Sequence, residues 1–102
     1  MFVIRETFTA KPGMASKLAH LFSEAMSGDH APGTRVLTDF VGPFNTVVLE
    51  TEVENLEEYG RRMKDYTEKP GVRERMNGYT DMYVSGGREI YEVVSVPVAA
   101  RR

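Results

Sequence analysis

Hydrophobic positions along this chain alternate between two spacings, one of two residues and one of three to four. Over Phe2–Thr9 the residues are mostly β-branched or aromatic. Phe2, Ile4 and Phe8 fall on one side, with Val3, Arg5, Thr7 and Thr9 on the other, which predicts a strand. Lys11-Pro12-Gly13 ends it, because proline has no N–H for a ladder and glycine accepts the turn. From Met14 to Met26 the spacing becomes helical, with Met14, Leu18, Leu21, Phe22 and Ala25 on one stripe and His20 on the solvent side. Gly28-Asp29 and Ala31-Pro32-Gly33 close that helix and form a connection. Arg35–Val41 and Thr46–Val53 are strand-like and flank Gly42-Pro43-Phe44-Asn45, so they predict a hairpin.

A second helical stretch runs over Asn55–Met76. Asn55 suits the N-cap, and Glu57 and Glu58 sit where carboxylates meet the positive end of the helix dipole. Its expected inward stripe is Leu56, Tyr59, Gly60, Met63 and Thr67. Gly60 costs about 1 kcal/mol there relative to alanine, and close approach of helix to sheet is the plain reason for it. Pro70-Gly71 divides the stretch in two. Gly78–Gly87 has no clear period, although Tyr79, Met82 and Tyr83 indicate packing. Arg88–Val96 reads as the last strand, residues 1–97 as one domain, and 98–102 as a frayed tail. Strand, helix, strand, given twice, makes one four-stranded sheet with two helices on one face. The other face is left bare, so the expected partner is a second copy of the chain.

Composition narrows the classes of function. At 102 residues there is room for one core. The formal net charge of −2, with basic residues scattered, argues against nucleic-acid binding, which needs clustered cations. The absence of cysteine excludes disulfides, thiolate metal sites and a cysteine nucleophile. Together with the lack of a leader-like segment or a long apolar run, it sets the expectation of a cytoplasmic protein without membrane contact. No glycine-rich phosphate loop and no serine elbow occurs, and no motif calls for a cofactor.

Charge inside the strands is the informative oddity. Glu6 interrupts the series Phe2, Ile4, Phe8; Glu50 and Glu52 share a face with Val48; Glu92 shares one with Ile90 and Val94. A carboxylate on a covered face must be paired, hydrogen-bonded or raised in pKa, and the last state suits a general acid or base. Cross-strand pairing with Arg5, Arg35 or Arg88 is the plainer reading. Glu6 is the foremost catalytic candidate, with His30 in the glycine- and proline-rich loop as a second. A metal site would need His20 and His30 to converge with a carboxylate, which the outward position of His20 opposes, so no metal is expected. Phe22, Tyr59, Met63 and Tyr91 are the candidates to line an aromatic and methionine-rich cavity between helices and sheet. Packing of core and subunit interface accounts for the same residues without a ligand.

The order βαββαβ, with Lys11-Pro12-Gly13 before the first helix and Glu54-Asn55-Leu56-Glu57-Glu58-Tyr59 opening the second, resembles the dimeric α+β barrel superfamily. That group includes NIPSNAP-like domains and cofactor-independent antibiotic-biosynthesis monooxygenases. The resemblance implies a ferredoxin-like fold, an antiparallel sheet in the order 4-1-3-2, and a homodimer joined through its sheet faces. Two functions are compatible with it. One is a homodimer that binds a small apolar or aromatic ligand between helices and sheet. The other is a monooxygenase-like enzyme on a small aromatic or quinone-like substrate, with Glu6 or His30 as base. A third reading, a purely structural protein, would have that space filled by its own side chains.

Overall fold

The computed structural model describes residues 1–26 and 33–95. Its elements run β1 Phe2–Ala10, α1 Ala15–Ala25, β2 Thr34–Thr38, β3 Thr46–Val53, α2 Leu56–Glu68, α3 Val72–Arg75, a 3-10 turn Tyr79–Asp81, and β4 Tyr83–Glu92. The strands form one antiparallel sheet ordered β2-β3-β1-β4, which is the expected 4-1-3-2 read from the opposite edge.

Two-residue alternation decides which side chains enter the core. Ile4 and Ala10 of β1 and Val47, Leu49 and Val53 of β3 are buried on the helix side. The α1 stripe supplies Leu18, Phe22 and Ala25, all fully enclosed, while His20 points outward beside Glu24 at 3.0 Å. The Phe22 ring lies 5.0 Å from that of Phe8 and 5.9 Å from that of Tyr79. Burial of a side chain of this size stabilises the fold by roughly 1.5–3 kcal/mol.

The second helix starts as its sequence indicates. Asn55 Oδ1 accepts from Glu58 N at 2.8 Å, and Glu58 Oε2 accepts from Glu54 N at 3.2 Å. The first satisfies a donor that the opening turn leaves without a helical partner, and the second ties the chain just before the cap to that turn. The helix ends at Glu68, ahead of Pro70, and Gly71 at φ 84° turns the chain into α3.

Three expectations need correction. β2 stops at Thr38, so Phe40 and Val41 belong to the hairpin loop, where Phe40 is 99% exposed. Side chains add to the last backbone bond there, from Asp39 N to Thr46 O at 3.2 Å: Asp39 Oδ1 accepts from Thr46 N at 2.9 Å, and the Thr46 hydroxyl donates to the Pro43 carbonyl at 2.8 Å. The last strand starts at Tyr83 and stops at Glu92, with Gly86 and Gly87 inside it rather than in a loop. Gly86 faces Phe8, and a Cβ on it would lie 3.1 Å from Phe8 Cδ1, so close approach of the ring explains that glycine. Finally, α2 buries Tyr66 and half-buries Tyr59 and Arg62, whereas Leu56, Gly60, Met63 and Thr67 are exposed. No atom lies within 4 Å of a Cβ built on Gly60, so close helix–sheet contact does not explain that residue. The helix instead spans a cavity, which Tyr59, Arg62, Met63, Tyr66 and Thr67 line, so Tyr59, Met63 and Thr67 of the expected stripe do face inward while Leu56 and Gly60 do not.

The opposite face of the sheet carries Val3, Arg5, Thr7, Leu37, Val48, Glu50, Glu89 and Tyr91. Among the described residues no helix covers it. No helix of the described residues is long and apolar enough to cross a membrane.

A cavity between the second helix and the sheet

A cavity of about 490 Å³ separates α2 from the sheet, within the ~300–1,000 Å³ usual for small-molecule sites. β1 contributes Glu6 and Phe8 to its floor, β3 contributes Leu49 and Thr51, and β4 contributes Arg88. Tyr59, Met63 and Tyr66 of α2 form the roof. Phe22 and Met26 close one side, and Val72, Met76 and Tyr79 close the end. The Tyr66 hydroxyl donates to the Ala25 carbonyl at 3.1 Å, tying α2 to the end of α1.

Polar groups reach this largely apolar lining in two places: Arg62, Asp65 and Lys69 on the helix side, and a cluster on the floor. Glu6 and Arg88 are direct cross-strand neighbours, and Arg88 Nη2 donates to Glu6 Oε2 at 3.0 Å. The bond and charge of Glu6 raise the Arg88 pKa further, so the guanidinium stays cationic. Its central carbon sits 5.9 Å from the centroid of the Tyr59 ring. Burial, and then the Glu6 carboxylate, push the Tyr59 phenol up, with Arg88 opposing in part. Tyr59 is therefore a neutral phenol at pH 7. Its buried hydroxyl has no hydrogen-bond partner among the described residues. A donor held in this way can serve an oxygen on a bound molecule. Elsewhere on the wall Arg62 is paired with Glu58 one turn earlier.

Glu6, Phe22, Tyr59 and Met63 thus come together around one space. Tyr91 does not. It pairs in register with Val3 on the far face, where its hydroxyl donates to Glu89 Oε2 at 2.6 Å and Arg5 lies 5.4 Å from its ring centroid. Strand parity excludes it from the cavity, since only even-numbered β4 positions from Gly86 onward share the face of Glu6. His30 lies outside the described residues. Among the described residues no group of three His, Asp or Glu is placed to hold a metal ion. The aromatic set suited to such a cavity extends to Tyr66 and Tyr79, which line it, but Arg88 was not expected in its lining. The seven-residue spacing of Tyr59 and Tyr66 was a usable signal, but Arg88 needed the β1–β4 register.

No protein-family model matches the sequence, and no curated protein matches it. Solved structures do resemble the fold. A NIPSNAP domain protein from Burkholderia xenovorans aligns over 95% of this chain and 99% of its own, with 13% identity and a TM-score of 0.78. A NIPSNAP family protein from Agrobacterium tumefaciens aligns over 95% and 97%, with 14% identity and a TM-score of 0.81. A Chloroflexus aurantiacus protein provisionally named an antibiotic biosynthesis monooxygenase aligns over 94% and 95%, with 15% identity and a TM-score of 0.69. At such identities the likeness is one of fold. The chain has the ferredoxin-like α+β architecture shared by these NIPSNAP and monooxygenase-like structures.

Proposed function

We propose that the protein is a homodimer, joined through the bare faces of its sheets, that binds a small, flat aromatic ligand in the cavity beneath α2. The observation that carries the ligand reading is the cavity itself: about 490 Å³ lined by Phe8, Phe22, Tyr59, Met63, Tyr66 and Tyr79. A purely structural protein would fill such a space with its own side chains. The aromatic and methionine walls suit a ring system, and the Glu6–Arg88–Tyr59 cluster gives it one polar anchor.

Calorimetric titration with neutral aromatics such as naphthalene and 1-naphthol tests the proposal. Saturable binding of one molecule per chain is expected, and it should vanish in Thr51→Trp, which fills the floor of the cavity. No binding by any aromatic in the panel would refute the ligand reading.

A monooxygenase-like enzyme is the second reading, favoured by the Glu6 carboxylate facing a mostly apolar space beside a neutral phenol. There Glu6 would accept the acidic proton of the aromatic substrate, and the walls would exclude water. Glu6→Gln keeps the shape and removes the proton acceptor. Oxygen consumption with phenolic substrates, absent in both parent and variant, would rule this reading out.

A further inference from the structure

The bare face of the sheet carries one charged residue per strand in direct register: Arg35 on β2, Glu50 on β3, Arg5 on β1 and Glu89 on β4. The signs alternate along this row. Its middle is already paired. Glu50 Oε1 accepts from Arg35 Nε at 3.0 Å, and Oε2 accepts from Arg5 Nη2 at 2.8 Å. The two guanidinium groups cover Glu50 so well that it is only 8% exposed.

The ends of the row are incomplete. The side chain of Arg35 is 69% exposed, and its salt bridge within the chain is to Glu50. Glu89 has no salt bridge to any cation among the described residues; its Oε2 accepts only the Tyr91 hydroxyl.

A row reading plus, minus, plus, minus becomes minus, plus, minus, plus when reversed. A second copy placed on this face by a twofold axis parallel to the strands, passing between β3 and β1, reverses the row. β2 then opposes β4 of the partner, and β3 opposes β1. Every charge meets its opposite, and Arg35 meets the carboxylate that lacked a cation. A twofold axis perpendicular to the strands and passing through the row sets like charge on like charge, which strongly disfavours that arrangement. The adjacent row, Leu37, Val48, Thr7 and Gly87, agrees with the first axis. Reversal places the half-exposed Leu37 over the partner's Gly87, a large side chain over a position that has none. The perpendicular axis places Val48 over the partner's Glu52 instead.

We infer that this ionic row selects the geometry of the homodimer: a twofold axis parallel to the strands, closed at each edge by an Arg35–Glu89 bridge between subunits. The inference rests on the homodimer reading above and adds the residues that choose one pairing over the other.

Two charge-reversed full-length chains test it. In Arg35→Glu homodimers, and in Glu89→Arg homodimers, both edge contacts join like charges, and each should self-associate about tenfold more weakly than the parent by sedimentation. A mixed dimer of the two variants has opposite charges at both edges. Any repulsion inside each chain is the same in its monomer and its dimers, so mixing isolates the intersubunit contact. Native mass spectrometry of the mixture should show heterodimer well above the statistical half.

A second measurement uses the absence of cysteine. A short bis-maleimide should join Leu37→Cys to Gly87→Cys only when the two variants are mixed, since facing sheets pack ~10 Å apart. The Gly87 position has no atom within 4 Å of an added Cβ, so that variant is expected to fold. A statistical heterodimer fraction, or cross-linking of Leu37→Cys to itself, would overturn the proposed axis while leaving the homodimer standing. A parent chain that stays monomeric at all concentrations would refute the homodimer, and the axis with it.

Discussion

Glu6 of β1 and Arg88 of β4 stand directly opposite one another, and their side chains meet at 3.0 Å on the floor of the cavity. Separated by 82 positions in sequence, the two are brought to one point by an antiparallel register. This pair places a fixed plus–minus dipole under the ring of Tyr59, on a floor otherwise formed by Phe8, Leu49 and Thr51. A neutral ligand that carries an oxygen is therefore better matched than a bare hydrocarbon.

Tyr59→Phe removes a buried hydroxyl that has no partner among the described residues. The ligand-free protein should gain about 1 kcal/mol of unfolding free energy, because an unsatisfied buried polar group is lost at little cost in shape. Urea unfolding checks the gain. The same variant should bind 1-naphthol more weakly while binding naphthalene as the parent does.

Glu50→Gln should destabilise the fold by about 1–2 kcal/mol at pH 7, a modest figure because both arginine partners reach solvent and are screened. Bonds from Arg35 and then Arg5 hold the Glu50 carboxyl below its usual value of 4.5. A carboxylate whose pKa falls on folding contributes stability above its unfolded pKa and loses it as the pH drops through the folded one. The parent should therefore lose stability below pH 4.5, and Glu50→Gln should lose less over the same interval. Unfolding measured at pH 7 and at pH 3.5 checks both statements.

Gly60→Ala should raise stability by roughly 0.5–1 kcal/mol, since alanine limits the unfolded chain and favours the helix. The position is exposed in α2, with nothing within 4 Å of the new Cβ. Gly86→Ala should do the opposite, because its Cβ meets Phe8 Cδ1 at 3.1 Å. Thermal melts of the two variants should move in opposite directions.

Phe22→Ala should cost about 3–5 kcal/mol, the range for truncating a fully buried aromatic residue. Phe22 is 0% exposed, and its ring touches those of Phe8 and Tyr79, so the loss spreads through the cluster that walls the cavity. Chemical denaturation measures it, and an unchanged midpoint would contradict the packing described.

The amino-acid sequence alone determined the element order, the first helix and its buried stripe, the Asn55 cap, and the strand parity that puts Ile4 and Val47 inside. Each of these depends on residues close together in the chain, where a period of two or of three to four is direct evidence of geometry. The tertiary structure decided the rest. Gly86 and Gly87 lie in a stretch without a clear period, and only pairing with β1 showed that they belong to a strand and that one of them makes room for Phe8. The inner arc of α2 was legible in part: Tyr59 and Met63 line the cavity as expected, whereas Leu56 and Gly60 are exposed, because local hydrophobicity does not record the space beneath the helix. The pairing of Glu6 with Arg88, the burial of Glu50 between two arginines and the removal of Tyr91 to the far face all follow from register. Register is fixed by contacts dozens of residues apart, and a one-residue slip would have sent each of these side chains to the other side of the sheet.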